Sequence, residues 1–255
     1  MNTISKTLAL MLLVLAMPAA AAASDDPLDS SQWRYMLRQY FPDAKVVFDD
    51  RVQVVAPDYA EDSLATPVQV RAEGLEDVER VLVLADHSPI NPVLDYYPVR
   101  AAPAIGFHFK VQQATPIRAA MRTADGTWHV GGVWVDAEGG GCTAPSVGSA
   151  SPLWESRLGE VEGRLWARGD RSQRLKFRVV HPMDTGLAAG IPAFFIRSVT
   201  VSDADGRTLA RLEPDEPVAE NPVFALDLKH AGAVTVEGRD NNGNVFSARI
   251  PAPAS

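Results

Sequence analysis

The sequence predicts an all-β protein of two antiparallel β-sandwiches with a short helix in front. Three observations carry this. Short β-branched and aromatic runs recur from Val46 onward, Gly-containing turn dipeptides separate several of them, and one stretch of small residues from Gly139 to Pro152 divides the β-rich region in two.

Residues 1–23 read as an address rather than as fold. Lys6 supplies a positive start, Thr7–Met17 is a Leu-rich apolar run, Pro18 breaks it, and Ala21-Ala22-Ala23 offers a small-residue cleavage site. The run falls short of the ~20 residues that a membrane span needs, and no later segment is long and apolar enough to span. An uncleaved anchor is the alternative; the expectation is a secretory signal peptide and a mature chain in the periplasm.

Residues 24–45 form the helical segment. Trp33, Leu37, Tyr40 and Phe41 recur at helical spacing, Ser30 or Ser31 is placed to cap the start, and Pro42-Asp43 ends it. Its aromatic face is expected to cover the neighbouring sandwich.

Residues 46–138 make the first sandwich. Val52–Val55, Val68–Val70, Val81–Leu84 and Phe107–Val111 are strand candidates, and Asp125-Gly126 between Ile117–Met121 and Trp128–Val135 signals a hairpin. Residues 139–154 are a Gly/Ser/Pro-rich linker, because such small side chains bury too little area to fix a backbone. Residues 155–252 make the second sandwich. Leu175, Phe177 and Val179 alternate with charged residues, Phe194–Val201 is a strand candidate, and Asp205-Gly206 and Asn242-Gly243 mark two hairpins. Val161–Ala167 reads as strand, since Gly159 and Gly163 disfavour a helix.

Composition excludes several function classes. Twenty-four Lys and Arg against 32 Asp and Glu give a net charge of −8, which argues against nucleic acid and against an anionic membrane surface as partner. No nucleophile elbow, P-loop or dinucleotide-binding glycine motif is present, so no catalytic residue is singled out and no cofactor is expected. The five histidines are scattered, His108 and His129 lie in apolar strand surroundings, and no metal site is expected.

Cys142 stands apart. It is the one cysteine of a chain expected in an oxidising compartment, so it forms no intrachain disulfide, and it follows Gly139, Gly140 and Gly141. No bulky apolar side chain lies within three positions, which suggests an exposed thiol on a flexible segment rather than a packed one. About four to seven residues beyond the strand ending near Val135 give a reach on the order of 15–25 Å. The nearest charges in sequence, Asp136 and Glu138, do not activate a thiol, so Cys142 suits being acted on by a partner better than acting itself. A linker cysteine of no consequence is the competing reading.

These residues resemble SoxY joined end to end with SoxZ. Residues 46–142, with the Asn91-Pro92 loop after the Val81–Leu84 strand and the terminal Gly-Gly-Gly-Cys, look like the sulfur-carrier subunit SoxY. Residues 172–252 look like SoxZ through Arg178–Leu187, Ile191–Ile196, Asn221-Pro222 and Asp240–Gly243. The resemblance implies two immunoglobulin-like sandwiches packed together and a carrier rather than an enzyme. It implies sulfur intermediates held covalently on Cys142, with Gly139, Gly140 and Gly141 providing the swing. The implied partners are periplasmic sulfur-oxidising enzymes or a quinoprotein dehydrogenase system. His181, Pro182 and Met183 belong to the SoxZ signature and read as structural. The departure is that Thr143-Ala144-Pro145 follow the cysteine and the chain continues, so the arm is tethered at both ends and explores less space. Two other readings stand beside the carrier: a non-covalent accessory or chaperone module for a dehydrogenase, with Cys142 incidental, and Cu(I) delivery through Cys142 with His and Met residues, the methionines outside the signal segment being Met36, Met121 and Met183.

Overall fold

The computed structural model describes residues 26–147, 152–169 and 171–253. The expected signal segment with the two residues after it, residues 148–151 of the linker, residue 170 and the last two residues lie outside them. Helix α1 (Trp33–Tyr40) is followed by β1 (Val46–Phe48), β2 (Val52–Val55), β3 (Thr66–Ala72), β4 (Val78–Ala85), β5 (Pro92–Tyr97), β6 (Ala101–Phe109), β7 (Thr115–Thr123) and β8 (Trp128–Val135). A second helix, α2 (Pro152–Arg157), leads into β9 (Val161–Gly169), β10 (Ser172–Val179), β11 (Ile196–Asp203), β12 (Thr208–Pro214), β13 (Val223–Leu228), β14 (Val234–Asp240) and β15 (Val245–Ile250). Among the described residues no helix is long and apolar enough to cross a membrane.

The strands form two sheets, ordered β1-β8-β7-β4-β5-β12-β11-β14-β15 and β2-β3-β6-β13-β10-β9. Each sheet therefore runs through both halves of the chain. In the first sheet the seam is β5 against β12, with Tyr96 opposite Leu212. In the second it is β6 against β13, with Ile105 opposite Leu226. Both seam pairs are antiparallel. One apolar core runs from Val52 and Val70 through Tyr96, Ile105 and Phe107 to Leu212, Phe224 and Ile250. The sandwich class is the one the sequence predicts. The edge-to-edge joining of the two halves is an addition, because pairing across more than 100 residues leaves no local signal.

The three turn dipeptides sit where expected. Gly126, Gly206 and Gly243 have φ of 84°, 78° and 92°, which glycine adopts without a Cβ penalty, and they close β7–β8, β11–β12 and β14–β15. Val161–Ala167 is strand. The helix start differs from expectation. Gln32 is the N-cap residue and makes no side-chain cap bond, while Ser30 accepts at its carbonyl and hydroxyl from Trp33 N–H and Gln32 N–H. The Asp26 carboxylate takes over as the local acceptor, binding the Ser30 N–H at 2.8 Å. The aromatic face of α1 covers the first sheet as foreseen: Trp33 meets Phe48 at 5.5 Å and Phe41 meets Trp128 edge-on at 5.0 Å. Burying Trp33, Met36 and Phe41 contributes about 1.5–3 kcal/mol each.

One carboxylic acid at the seam has a titration consequence. Asp215, between β12 and β13, is pushed up to about 7 by burial and by Glu216, Asp95 and Glu213. The folded chain then holds a proton that the unfolded chain releases above ~3.9, so stability from this group is lost as pH rises from about 4 through 7. D215N is expected to remove about 2–4 kcal/mol of that fall, read as urea midpoints across the range. An unchanged slope contradicts the assignment.

Candidate functional site

Strand β6 ends at Phe109, and the chain then passes along the seam through Lys110, Val111 and Gln112 before entering β7. Val111 N–H is taken by Ser63 C=O at 2.8 Å and Lys110 N–H by Pro217 C=O at 2.6 Å. That leaves the carbonyls of Lys110, Val111 and Gln112 as acceptors, and the glycine segment docks on them. Gly140 N–H donates to Gln112 C=O and Gly141 N–H to Val111 C=O, both at 3.0 Å, and Cys142 N–H donates to Gln112 Oε1 at 3.1 Å.

This corrects the expectation for Cys142. Its side chain is buried, not exposed. The sulfur lies 3.5 Å from Lys110 C=O, and its own carbonyl accepts from Thr185 Oγ1 at 2.5 Å. The glycines are corrected with it. Here Gly139 and Gly141 allow close approach rather than looseness: a Cβ on Gly141 would sit 2.1 Å from Ser63 O and one on Gly139 2.2 Å from Gln112 O, while Gly140 has open space around it and supplies a backbone turn at φ +88°. The same small residues that suggest a free chain let it lie flat against a backbone, with the N–H groups of Gly140, Gly141 and Cys142 all matched.

The docked arm is held from the second half as well. Ser146 donates its N–H and hydroxyl to Asp184 at 2.9 and 3.1 Å, and Val147 N–H reaches Glu220 Oε2 at 2.8 Å. Across the seam, Lys110 Nζ donates to Met183 C=O. Met183 has φ +53°, unusual for a bulky residue, and is fixed at three atoms. Besides that carbonyl, its N–H goes to His181 Nδ1 and its sulfur accepts from Ile196 N–H. His181 is buried 3.6 Å from Asp240; desolvation dominates over that carboxylate and pushes it down to about 4, so it is neutral at neutral pH. The structural reading of His181, Pro182 and Met183 fits this packing, and it adds that they shape the wall facing Lys110.

The electrostatics are set by burial. Desolvation raises the Cys142 thiol, opposed by a hydrogen bond from Ser88 and the field of Lys110. Desolvation pushes Lys110 down to about 8. Docked Cys142 is thus a protonated thiol with little nucleophilic character. Ser88 is carried by the β4–β5 loop, where Asn91 Nδ2 lies 2.9–3.2 Å from the carbonyls of Ala85, Asp86 and Ser88. N91A leaves those acceptors short of a donor and is expected to cost about 1–3 kcal/mol, measured by urea unfolding. A loss below about 0.5 kcal/mol contradicts this. Outside the loop lies a cleft of about 530 Å³ lined by Asp86, His87, Ser88, Gln112, Thr143 and Leu187.

Sequence reasoning found Cys142 and missed Ser88, Lys110 and Thr185, which reach it from 32 to 54 positions away, and Asp184, which holds the arm at Ser146. The one available signal was Lys110, a charge set between Phe109 and Val111. Docking also makes a prediction. Overpacking at Gly141 costs about 1–3 kcal/mol. G141A is therefore expected to raise the rate at which a thiol reagent modifies Cys142 in the folded protein by about 5- to 150-fold. An unchanged rate contradicts the docked state.

Two family models match the chain in tandem. Sulfur oxidation protein SoxY matches residues 37–142, ending on the cysteine, and sulphur oxidation protein SoxZ matches residues 166–251. Among solved structures, the sulfur carrier protein SoxY from Chlorobium limicola f thiosulfatophilum is similar at 14% identity and a TM-score of 0.38, over 42% of this chain and 96% of that one. No curated protein matches.

Proposed function

We propose, from the premise that this chain belongs to the fused SoxYZ-type carriers of sulfur oxidation, a SoxY domain followed by a SoxZ domain, that Cys142 is the atom-bearing site of the carrier. The observation that carries the proposal is the position of Cys142. The lone thiol of the chain is the last residue of the SoxY match and is latched at the seam by side chains of the SoxZ half.

The cycle has two positions. Docked, the thiol is protonated, covered and inert. Undocked, Gly139–Gly141 let the arm extend, solvent restores ordinary acidity, and the thiolate attacks the sulfane sulfur of a polysulfide. One S–S bond forms and one breaks, and the shortened polysulfide leaves with the electron pair. Cys142 becomes a persulfide with no net oxidation. Partner enzymes that oxidise the carried sulfur act on the extended arm. Residues 1–23 support export to the periplasm, and a quinoprotein dehydrogenase system is the partner class the sequence resemblance suggests.

Incubation with inorganic polysulfide tests the reading. Intact mass is expected to rise by one sulfur, peptide mapping to place it on the Cys142 peptide, and reductant to remove it. A protein that stays unmodified after G141A frees the arm refutes the reading. The accessory-module reading has one observation in its favour, the burial of the thiol. It predicts that a captured partner is retained equally by wild type and C142S, with pathway activity following capture alone.

A further inference from the structure

Lys110 is 2% exposed. Among the described residues it makes no ion pair within 4.0 Å, and its ammonium, with three N–H donors, has one hydrogen bond, to Met183 C=O. Four titratable groups face it from the packed elements: Cys142, Asp184, Glu220 and His181. Asp184 and Glu220 favour the cation through their fields without pairing with it, their oxygens accepting from Ser146 and from Val147 N–H, and His181 is neutral. A buried cation offset this incompletely is costly. The remaining neighbour is Cys142, whose sulfur rests on the carbonyl of Lys110 itself. As a thiol it brings no charge.

Loading changes that. A persulfide lengthens the side chain by one S–S bond of about 2.0 Å and brings an anion to the one side chain whose charge Lys110 already favours through its field. We propose that Lys110 is a positioning residue that holds the anionic terminal sulfur of the cargo on Cys142 when the arm docks, so that the carrier stores its loaded form in preference to its empty one. This rests on the carrier reading above. It assigns a chemical class to the cargo: sulfur species that end in a negative charge, with persulfide as the probe.

The test uses the full mature protein, loaded with inorganic polysulfide, desalted, and checked by intact mass. K110M keeps the volume without the charge, and K110Q also keeps a donor for Met183 C=O. The pH midpoint of the near-ultraviolet persulfide absorbance is read for all three. An opposite charge at close range lowers an acid by about 1–3 units, so both variants are expected to titrate about one to two units above wild type. That is ten- to a hundred-fold less anion at a pH below the midpoint. Equal midpoints in all three overturn the role of Lys110 while the carrier reading stands. A shift in K110M alone assigns the effect to the Met183 hydrogen bond and also overturns it. No sulfur on Cys142 in either wild type or G141A overturns both.

Discussion

C142S is expected to fold with wild-type stability, within about 1 kcal/mol, and to lose every covalent sulfur adduct and all pathway activity. The serine hydroxyl replaces the thiol in size, keeps a donor for Lys110 C=O and an acceptor for Ser88, and leaves the arm's backbone hydrogen bonds untouched. It cannot form a persulfide. The loss is therefore all-or-none and not graded, which separates chemistry at the sulfur from damage to the seam. The measurement is the pathway rate with purified partners beside a urea unfolding curve. Retained activity in a folded C142S contradicts the carrier role.

The second large effect concerns what holds the loop over Cys142. Arg118 on β7 is 1% exposed and lies between two carboxylates. Its Nε is 3.0 Å from both oxygens of Asp86, its terminal nitrogens reach Asp26 at 2.8 and 2.6 Å, and its guanidinium stacks 4.3 Å from Trp33. One side chain thus ties the segment before α1 to the loop that carries Ser88. R118M leaves Asp86 buried and unpaired, which is expected to cost about 3–5 kcal/mol in urea unfolding. R118M combined with D86N is expected to recover part of that, because the stranded charge goes with it. A single-variant loss under about 1 kcal/mol contradicts the account.

How much was legible follows from where the signals are. Asp125-Gly126, Asp205-Gly206 and Asn242-Gly243 announce their hairpins because turn chemistry is local. β13 is not announced, and β12 only by the Asp205-Gly206 turn that precedes it. Thr208–Pro214 has Thr208 as its one β-branched residue and carries Ala, Glu and Pro, which strands disfavour; it becomes strand by pairing with β5 and β11. In β13 the alternation of buried Phe224, Leu226 and Leu228 was present but short. The seam is formed by these strands, so the joined sheets escaped a reading that works segment by segment. At the site, composition singled out Cys142 and misjudged its surroundings for the same reason. Small residues mark both a free chain and a backbone pressed against another, and only Ser63, Val111 and Gln112, which lie elsewhere in the sequence, decide between them.

The central claim is that sulfur travels on Cys142. Intact mass of the protein isolated from its own cells without reductant, followed by peptide mapping, tests it most directly. The account predicts a reducible adduct of sulfur, thiosulfate or sulfonate mass on the Cys142 peptide and on no other. An unmodified thiol, or only a disulfide-linked dimer, contradicts it.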